Sequence, residues 1–565
     1  MKKIVVLFVL VLVCFAYEMP MKKDYVDGVS TQPETRTSLR DRVLITPIGD
    51  IRAIMGPQGK NIAVSAGGEA IAVIFGDPTP DPQNFMEVKI AYSTDDGETW
   101  TIYGPFSGEY ARVYPGVDGT PDFDVTPGEL FFSFQESPYG YAEGNCKTMI
   151  EEGTPSASSP STPLALPQAT GPNLCPWHTG VSVSPDNPLH LIVNAFSYLN
   201  NGNEYQYVWV SEDGGYSWSD TIRVARGIDP VEGSAGAGKC RQGTGGFAMI
   251  AFHDTVTVGA TAVTAPHHIE STDGGYTWTN LTELPVPQIF ETSQFWWHEL
   301  DCEVINGEPW AIHTDISTGG GMWLYHGTGS PGSWTWEVWN VRELGAESTW
   351  IADTLFYAAP SQYPSISYDQ VSGIILVSYK ANYYKGDNAT WATYNGAHIG
   401  GIYTYDNGQN WIVADALSEP QVGSIVWADW SATEVAHRLV NTGDSVYAYA
   451  AWGNEAELNL YFERGAIRRF TGVAEIDEHA AVRTELALVP TICDNHCCAT
   501  FSLSRPVNVE ATLYDATGRR VLNVFSGTCD GVQSINIPTS QLMNGTYFLV
   551  LKTGTTTATK KLIKM

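Results

Sequence analysis

With 565 residues the chain exceeds what one small domain needs, and its formal charge of −31, from 31 basic and 62 acidic residues, argues against a phosphate-rich partner. An acidic surface of that size repels nucleic acid and anionic lipid, and needs a local basic site to hold an acidic glycan. A hydrophobic fraction of 43% with only 16% charged residues is ample for a large core or several smaller ones.

The chain opens with Lys2-Lys3, an apolar run from Ile4 to Phe15 and a small residue at Ala16. Residues 1–16 read as a secretory signal, too short for a bilayer crossing of about 20 helical residues. Val13 before Cys14 is not the small residue that a lipid-attachment motif needs. Cleavage removes Lys2 and Lys3 and no acid, so −31 becomes −33. No later segment is apolar for long enough to span a membrane. Residues 17–41 form an N-terminal extension, and Arg42-Val-Leu-Ile-Thr46 is the first strand.

Four copies of one eight-residue pattern follow. Ser93 to Trp100 reads STDDGETW, Ser211 to Trp218 reads SEDGGYSW, Ser271 to Trp278 reads STDGGYTW and Thr404 to Trp411 reads TYDNGQNW. The Asp carboxylate can accept nearby backbone N–H groups, Gly tolerates φ > 0, the Ser or Thr hydroxyl adds a local bond, and Trp covers the turn. Alternating strand patterns flank the copies, as in Val88-Lys-Ile-Ala-Tyr92, so each copy predicts a β-hairpin turn. The pattern resembles the Asp-box, or bacterial neuraminidase repeat, of sialidase-like β-propellers. That resemblance places Ser93, Asp95, Gly97, Trp100, Ser211, Asp213, Gly215, Trp218, Ser271, Asp273, Gly275, Trp278, Thr404, Asp406, Gly408 and Trp411 on outer hairpins with a structural role.

Spacing gives the repeat count. Asp213 and Asp273 are 60 residues apart, Asp95 and Asp213 are 118 apart, and Asp273 and Asp406 are 133 apart. One unit is therefore about 60 residues, and two units should lack a clean box, near 153 and near 333. Near 333 the segment Gly327 to Trp334 keeps a Ser-Trp end without the Asp. Near 153 a Ser/Pro/Thr-rich stretch, Gly153 to Pro167, reads as a long exposed loop. Further strand patterns between Glu434 and Phe470 complete a last unit, which the strand at 42–46 could close. The expected fold is all-β: a seven-bladed β-propeller, alternatively six-bladed, over 42–470, a linker over 471–489 and a small β-sandwich-like domain over 490–565.

The exported chain keeps eight cysteines, which favours disulfides. Cys146 with Cys175 would close the Ser/Pro-rich loop, leaving Cys240 for Cys302. Among Cys493, Cys497, Cys498 and Cys529, either 493–497 with 498–529 or 493–498 with 497–529 avoids a bond between adjacent residues. His496 stands among these thiols, but the paired spacing of a zinc knuckle is absent, so no metal is expected. Asp118, Asp122 and Asp124 offer oxygen ligands to calcium without EF-hand spacing.

The tail alternates over Val507 to Leu513, turns at Tyr514 to Gly518 and alternates again over Arg519 to Val524. The runs LYDATGRRV at 513–521, NGTYFLVL at 544–551 and KKLIK at 560–564 resemble the C-terminal sorting domain of the type IX secretion system. The resemblance implies an address read by the export machinery, and a secreted or outer-surface protein of a Gram-negative-type bacterium.

In a propeller the first residues of each innermost strand ring a central funnel. Those positions carry Arg112 and Tyr114, Trp177 and His178, Lys239 and Arg241, Trp296 to Glu299 with Asp301, Gln362 and Tyr363, and Asp429 and Trp430. Aromatic rings beside charged groups suit a sugar, stacking on its apolar face and bonding its hydroxyls. The expected function is a monomeric, secreted or cell-surface propeller that binds an extracellular glycan or glycoprotein, with Trp177, Trp297 and Trp430 stacking, His298, Glu299 and Tyr363 supplying polar contacts, and Arg112, His178, Arg241 and Asp429 as further binding residues. The alternative is a glycoside hydrolase. The sialidase resemblance would make Tyr363 and Glu299 the nucleophile pair and Arg112 and Arg241 the substrate arginines, although the family's Arg-Ile-Pro motif is absent. A neutral-glycan hydrolase would need two carboxylates about 5–9.5 Å apart, from among Asp118, Asp122, Glu299, Asp301 and Asp429.

Overall fold

In the computed structural model the described residues are 42–48, most of 59–469 and most of 482–564. Residues 1–41, 49–58 and 470–481, and longer inter-strand segments such as 124–129, 154–163, 166–175, 227–237, 385–393 and 423–432, lie outside them. Two compact units result, Met1–Arg469 and Phe470–Met565.

The first unit is built from seven antiparallel sheets among its described residues; six run in chain order, and the last adds the first strand of the chain at its outer edge. Their innermost strands are Ile62–Val64, Ala111–Gly119, Pro176–Val183, Gly238–Gln242, Phe295–Ile305, Thr354–Tyr368 and Thr433–Val435. Each packs against a strand of the next sheet, and Ile62–Val64 packs against Ser445–Asn454 of the last, so the series closes into a ring. This is a β-propeller. The last blade borrows its outer strand from the start of the chain: Val43–Pro47 pairs antiparallel with Asn459–Arg469, Val43 opposite Phe462. The strand expected at 42–46 does close the circle.

Closure needs the inner strands to approach closely. A Cβ on Gly59 would come within 2.9 Å of Gly116 Cα and 3.1 Å of Gly180 Cα. Only a residue without a side chain lets the first three blades meet there. Between blades the cores are apolar: Ile74, Val88, Phe106, Phe132 and Phe134 join the first two, and Trp310, Leu324, Ile366 and Val377 join the fifth and sixth.

Three Asp-box turns lie between the third and fourth strands of their sheets; the fourth lies at the equivalent place, two strands beyond Thr354–Tyr368, in a sheet that carries an extra strand, Glu347–Ile351, on the other side of Thr354–Tyr368. They share one hydrogen-bond set. Ser93 Oγ donates to Asp95 Oδ1 at 2.8 Å and accepts from Gly97 N at 3.0 Å, while Thr99 N and Oγ1 donate to Asp95 at 2.9 and 2.6 Å. Asp213, Asp273 and Asp406 repeat these bonds. Trp100, Trp218 and Trp278 donate Nε1–H to the box glycine carbonyl at 3.1, 2.9 and 2.8 Å. Trp411 instead sets its ring edge-on to Trp339, 5.8 Å away.

The boxes also bind blades together. A Cβ on Gly275 would strike Ile192 of the preceding blade, and Asp96 holds Tyr449 of the last blade by a 2.8 Å hydrogen bond and pairs with Arg464. The degenerate turn before Trp334 keeps this role: Trp334 Nε1 donates to Glu270 of the fourth blade at 2.5 Å. Strands end at Gly153 and resume at Leu164 where another box was expected missing.

The disulfide expected between Cys240 and Cys302 is not formed; both are buried free thiols. Each lies between two channel-facing residues, so strand alternation turns it into an apolar core, and Cys302 Sγ donates to Lys239 O at 3.0 Å. Cys497 is buried in the core of the second unit. Cys146 and Cys175, and the side chains of Cys493, Cys498 and Cys529, lie outside the described residues.

That second unit holds a six-stranded sheet. Its spine, His496–Asp515, pairs with Arg520–Pro538, with Val482–Val489 over its first part and with Gly545–Thr553 over its second. The register breaks between Leu503 and Val507, where Pro506 has no N–H to give. Leu513, Ile537, Leu549 and Leu562 fill its core.

Candidate functional site: the central channel

Period-two alternation puts Lys239 and Arg241 on one face of the fourth innermost strand, and Glu299, Asp301 and Glu303 on one face of the fifth. These side chains meet partners from across the ring. Lys60 Nζ lies 2.5 Å from Asp301 Oδ2 and 3.2 Å from Glu434 Oε1. Lys239 Nζ lies 3.4 Å from the same Glu434 oxygen and 3.5 Å from Asp301 Oδ1. Ser365 Oγ donates to Glu434 at 3.1 Å, and Ile366 N donates to Asp301 at 2.7 Å.

One step further along the strands is a second layer. Arg241 Nη1 donates to Asp118 Oδ2 at 3.0 Å, and its Nε lies 3.7 Å from Glu303. His437 stands between Asp118 and Glu303, and Arg438 donates to the carbonyls of Val64, Gly119 and Thr120. The last blade is thereby fastened to the first two on the channel side.

Burial sets the charge states. It would raise Asp301, but Lys239, Lys60 and Arg241 override it and hold the carboxyl at about 2. Asp118 is likewise kept well below the carboxylate range, His437 and Arg241 outweighing burial. Burial lifts Glu303 to about 7, since Arg241 offsets it only in part, and holds His437 at about 4. Removing one member of such a buried pair strands the other and costs about 3–5 kcal/mol.

The structure brings Arg241, Glu299 and Asp301 to the channel walls, whereas the Tyr363 side chain belongs to an apolar core. Glu299 is fully buried, and its Oε2 accepts the backbone N–H of Tyr363 at 3.0 Å. Tyr363 sits at a register break of its strand with φ 52, and its side chain belongs to the apolar cluster that includes Ala436 and Tyr449, with Lys380 Nζ 5.8 Å from the ring centroid. Carboxylate and tyrosine thus meet through the backbone, and Glu299 braces a left-handed residue. Arg112, Trp177, His178, Trp297 and His298 fall near the starts of innermost strands, but their side chains lie outside the described residues. Asp429 and Trp430 lie wholly outside them. Asp118 accepts from Gly119 N and Val183 N as well as Arg241, so its oxygens face an ion-pair network. Among the described residues no cluster of three or more His, Cys, Asp or Glu side chains is disposed to hold a metal ion.

Sequence reasoning did not single out Lys60, Glu303, Glu434, His437 or Arg438. The i, i+2 charge pattern of Lys239-Cys-Arg241 and Glu299-Leu-Asp-Cys-Glu303 was the available signal, because charges on a strand flanked by apolar residues need partners inside.

Fold and site together define a β-propeller with a charged, self-paired channel. Residues 498–565 match the secretion system C-terminal sorting domain. The tail is a type IX export address, and the protein is delivered to the outer surface or the exterior. Among the described residues no helix is long and apolar enough to cross a membrane. No curated protein matches the chain. Similar solved structures include a polysaccharide lyase, an ulvan lyase, at 13% identity, covering 76% of this chain and 97% of that one with a TM-score of 0.46. The NanB sialidase of Streptococcus pneumoniae is 11% identical, covering 62% and 68% at 0.38. A Penicillium chrysogenum α-L-arabinanase is 12% identical, covering 77% and 100% at 0.39.

Proposed function

We propose that the protein binds an extracellular glycan at the mouth of its channel, where Arg112, Trp177, His178, Trp297 and His298 stand near the starts of innermost strands. Successive innermost strands of a propeller run the same way along the channel, so their first residues gather at one opening. Aromatic rings there would stack on pyranose faces while the cations and carboxylates bond hydroxyls.

The observation that carries this reading over a hydrolytic one is the pairing of the described charges deeper in the channel. Asp301 and Glu434 are engaged by Lys60 and Lys239, and Asp118 by Arg241 and His437. A glycosidase would need two carboxylates flanking an open space, and a sialidase would need arginines available to a substrate carboxylate. Arg241 and Arg438 are spent on Asp118 and on backbone carbonyls.

The test is calorimetric titration of the full chain with neutral oligosaccharides. Trp297→Ala and Trp177→Ala should each weaken binding by about 1–3 kcal/mol, the scale of one buried aromatic face. Affinity unchanged in both variants would move the ligand away from this opening.

A further inference from the structure

Glu303 holds the last of three inward positions on its strand. Its Oε1 accepts the N–H of Val304 at 3.1 Å. Its Oε2 lies 3.7 Å from Arg241 Nε and 3.6 Å from His437 Nδ1, buried and without a hydrogen bond of its own. The other ring nitrogen of His437 lies 2.9 Å from Asp118 Oδ1 but, like Glu303 Oε2, is buried without a hydrogen bond. One imidazole, carried by the last blade, therefore stands between carboxyl groups of the second and fifth blades. The next residue, Arg438, ties the same segment to backbone carbonyls of the first two blades.

We propose that Asp118, His437 and Glu303 form a proton-holding relay across the ring, with the proton on Glu303 as the switch that sets how firmly His437 braces the last blade. With Glu303 protonated, its O–H can turn toward the Nδ1 lone pair of a neutral imidazole that keeps its proton on Nε2, the nitrogen nearer Asp118. Loss of the Glu303 proton to solvent leaves a carboxylate against that lone pair, and the brace loosens. Of the other groups around Glu303, Arg241 draws its carboxylate form, Lys60 more weakly, and Asp301 opposes it. Burial lowers Arg438 while Asp118, Glu303 and Asp122 act against it, and the Cys302 thiol is pushed up and stays neutral.

The direction follows from linkage. The folded value of Glu303, about 7, stands above its ordinary 4.5. Its contribution is therefore fully present below pH 4.5 and is lost as pH rises through about 7. His437 works the other way, held at about 4 against 6.5, so its contribution is lost as pH falls through 4. That opposing term is common to the wild type and a Glu303 variant and cancels in their difference.

The experiment is an infrared pH titration of the full chain, with thermal melting alongside. Wild type should lose one protonated-carboxyl equivalent per chain between about pH 6 and 8, and Glu303→Gln should lose none. The melting temperature of Glu303→Gln relative to wild type should climb as pH rises from about 4.5 to about 7 and level off above it. His437→Asn should move the midpoint of the carboxyl signal. No carboxyl proton lost by wild type in the infrared titration window, the same loss in Glu303→Gln, or a midpoint unmoved in His437→Asn would each overturn the proposal; the wild-type titration decides it even where a variant does not fold.

Discussion

Two glycines with the same backbone geometry separate the cost of a left-handed residue from the cost of ring closure. Gly97, in the first Asp-box, has φ +81, and Gly443, in a turn of the last blade, has φ +83. Alanine at Gly443 would meet nothing within 4 Å, so it should cost only the left-handed penalty of about 1–2 kcal/mol. A Cβ at Gly97 would overlap the Phe462 ring of the last blade, lying 2.6 Å from its Cδ1 and 2.8 Å from its Cζ. That ring is wedged between Trp100, at 5.2 Å, and Tyr449, at 5.9 Å, and has little room to retreat. Overpacking adds about 1–3 kcal/mol, so Gly97→Ala should destabilise by about 2–5 kcal/mol in total. Urea denaturation followed by tryptophan fluorescence measures both variants. Adding Phe462→Val should recover most of the excess in Gly97→Ala and none in Gly443→Ala. Equal destabilisation of the two glycine variants would refute the claim that this turn is packed onto the last blade.

Lys60→Met removes one of the two lysines that Asp301 and Glu434 share, leaving Lys239 to offset both, and should cost up to about 3–5 kcal/mol by the same denaturation assay. Asp213→Ala removes three short bonds within one exposed turn, should cost about 1–2 kcal/mol, and should leave glycan affinity unchanged by calorimetry. The folded values of Asp301 and Asp95 lie at about 2, below the ordinary 3.8. Their stabilisation is therefore present above pH 3.8 and decays as pH falls toward 2, seen as a steep loss of melting temperature in that window. Deleting 480–565 should leave a folded propeller that a type IX-competent host retains in its periplasm, as fractionation would show.

What the sequence made legible was local. An Asp-box forms from bonds within eight residues, so its turns could be placed without knowing the rest of the chain, and their spacing carried the repeat. The closing strand at 43–47 was legible because a ring of such sheets needs one. The channel was not. Lys60 and Asp301 are 241 residues apart, and no local pattern says which cation will face which acid across a ring. Cys240 and Cys302 looked like partners by elimination, but strand alternation points both thiols away from the channel and into apolar cores. Glu299 and Tyr363 do meet, through a backbone N–H at a register break that side-chain chemistry could not anticipate.

The central claim is that this exported propeller holds a glycan without cleaving it. Its most direct test runs the full chain on a glycan array in parallel with a chromogenic glycosidase panel that includes a sialoside. The account predicts retention of neutral or mixed glycans, lost in Trp297→Ala, with no release of product from any reporter. Efficient release of sialic acid that Tyr363→Phe abolishes would contradict it.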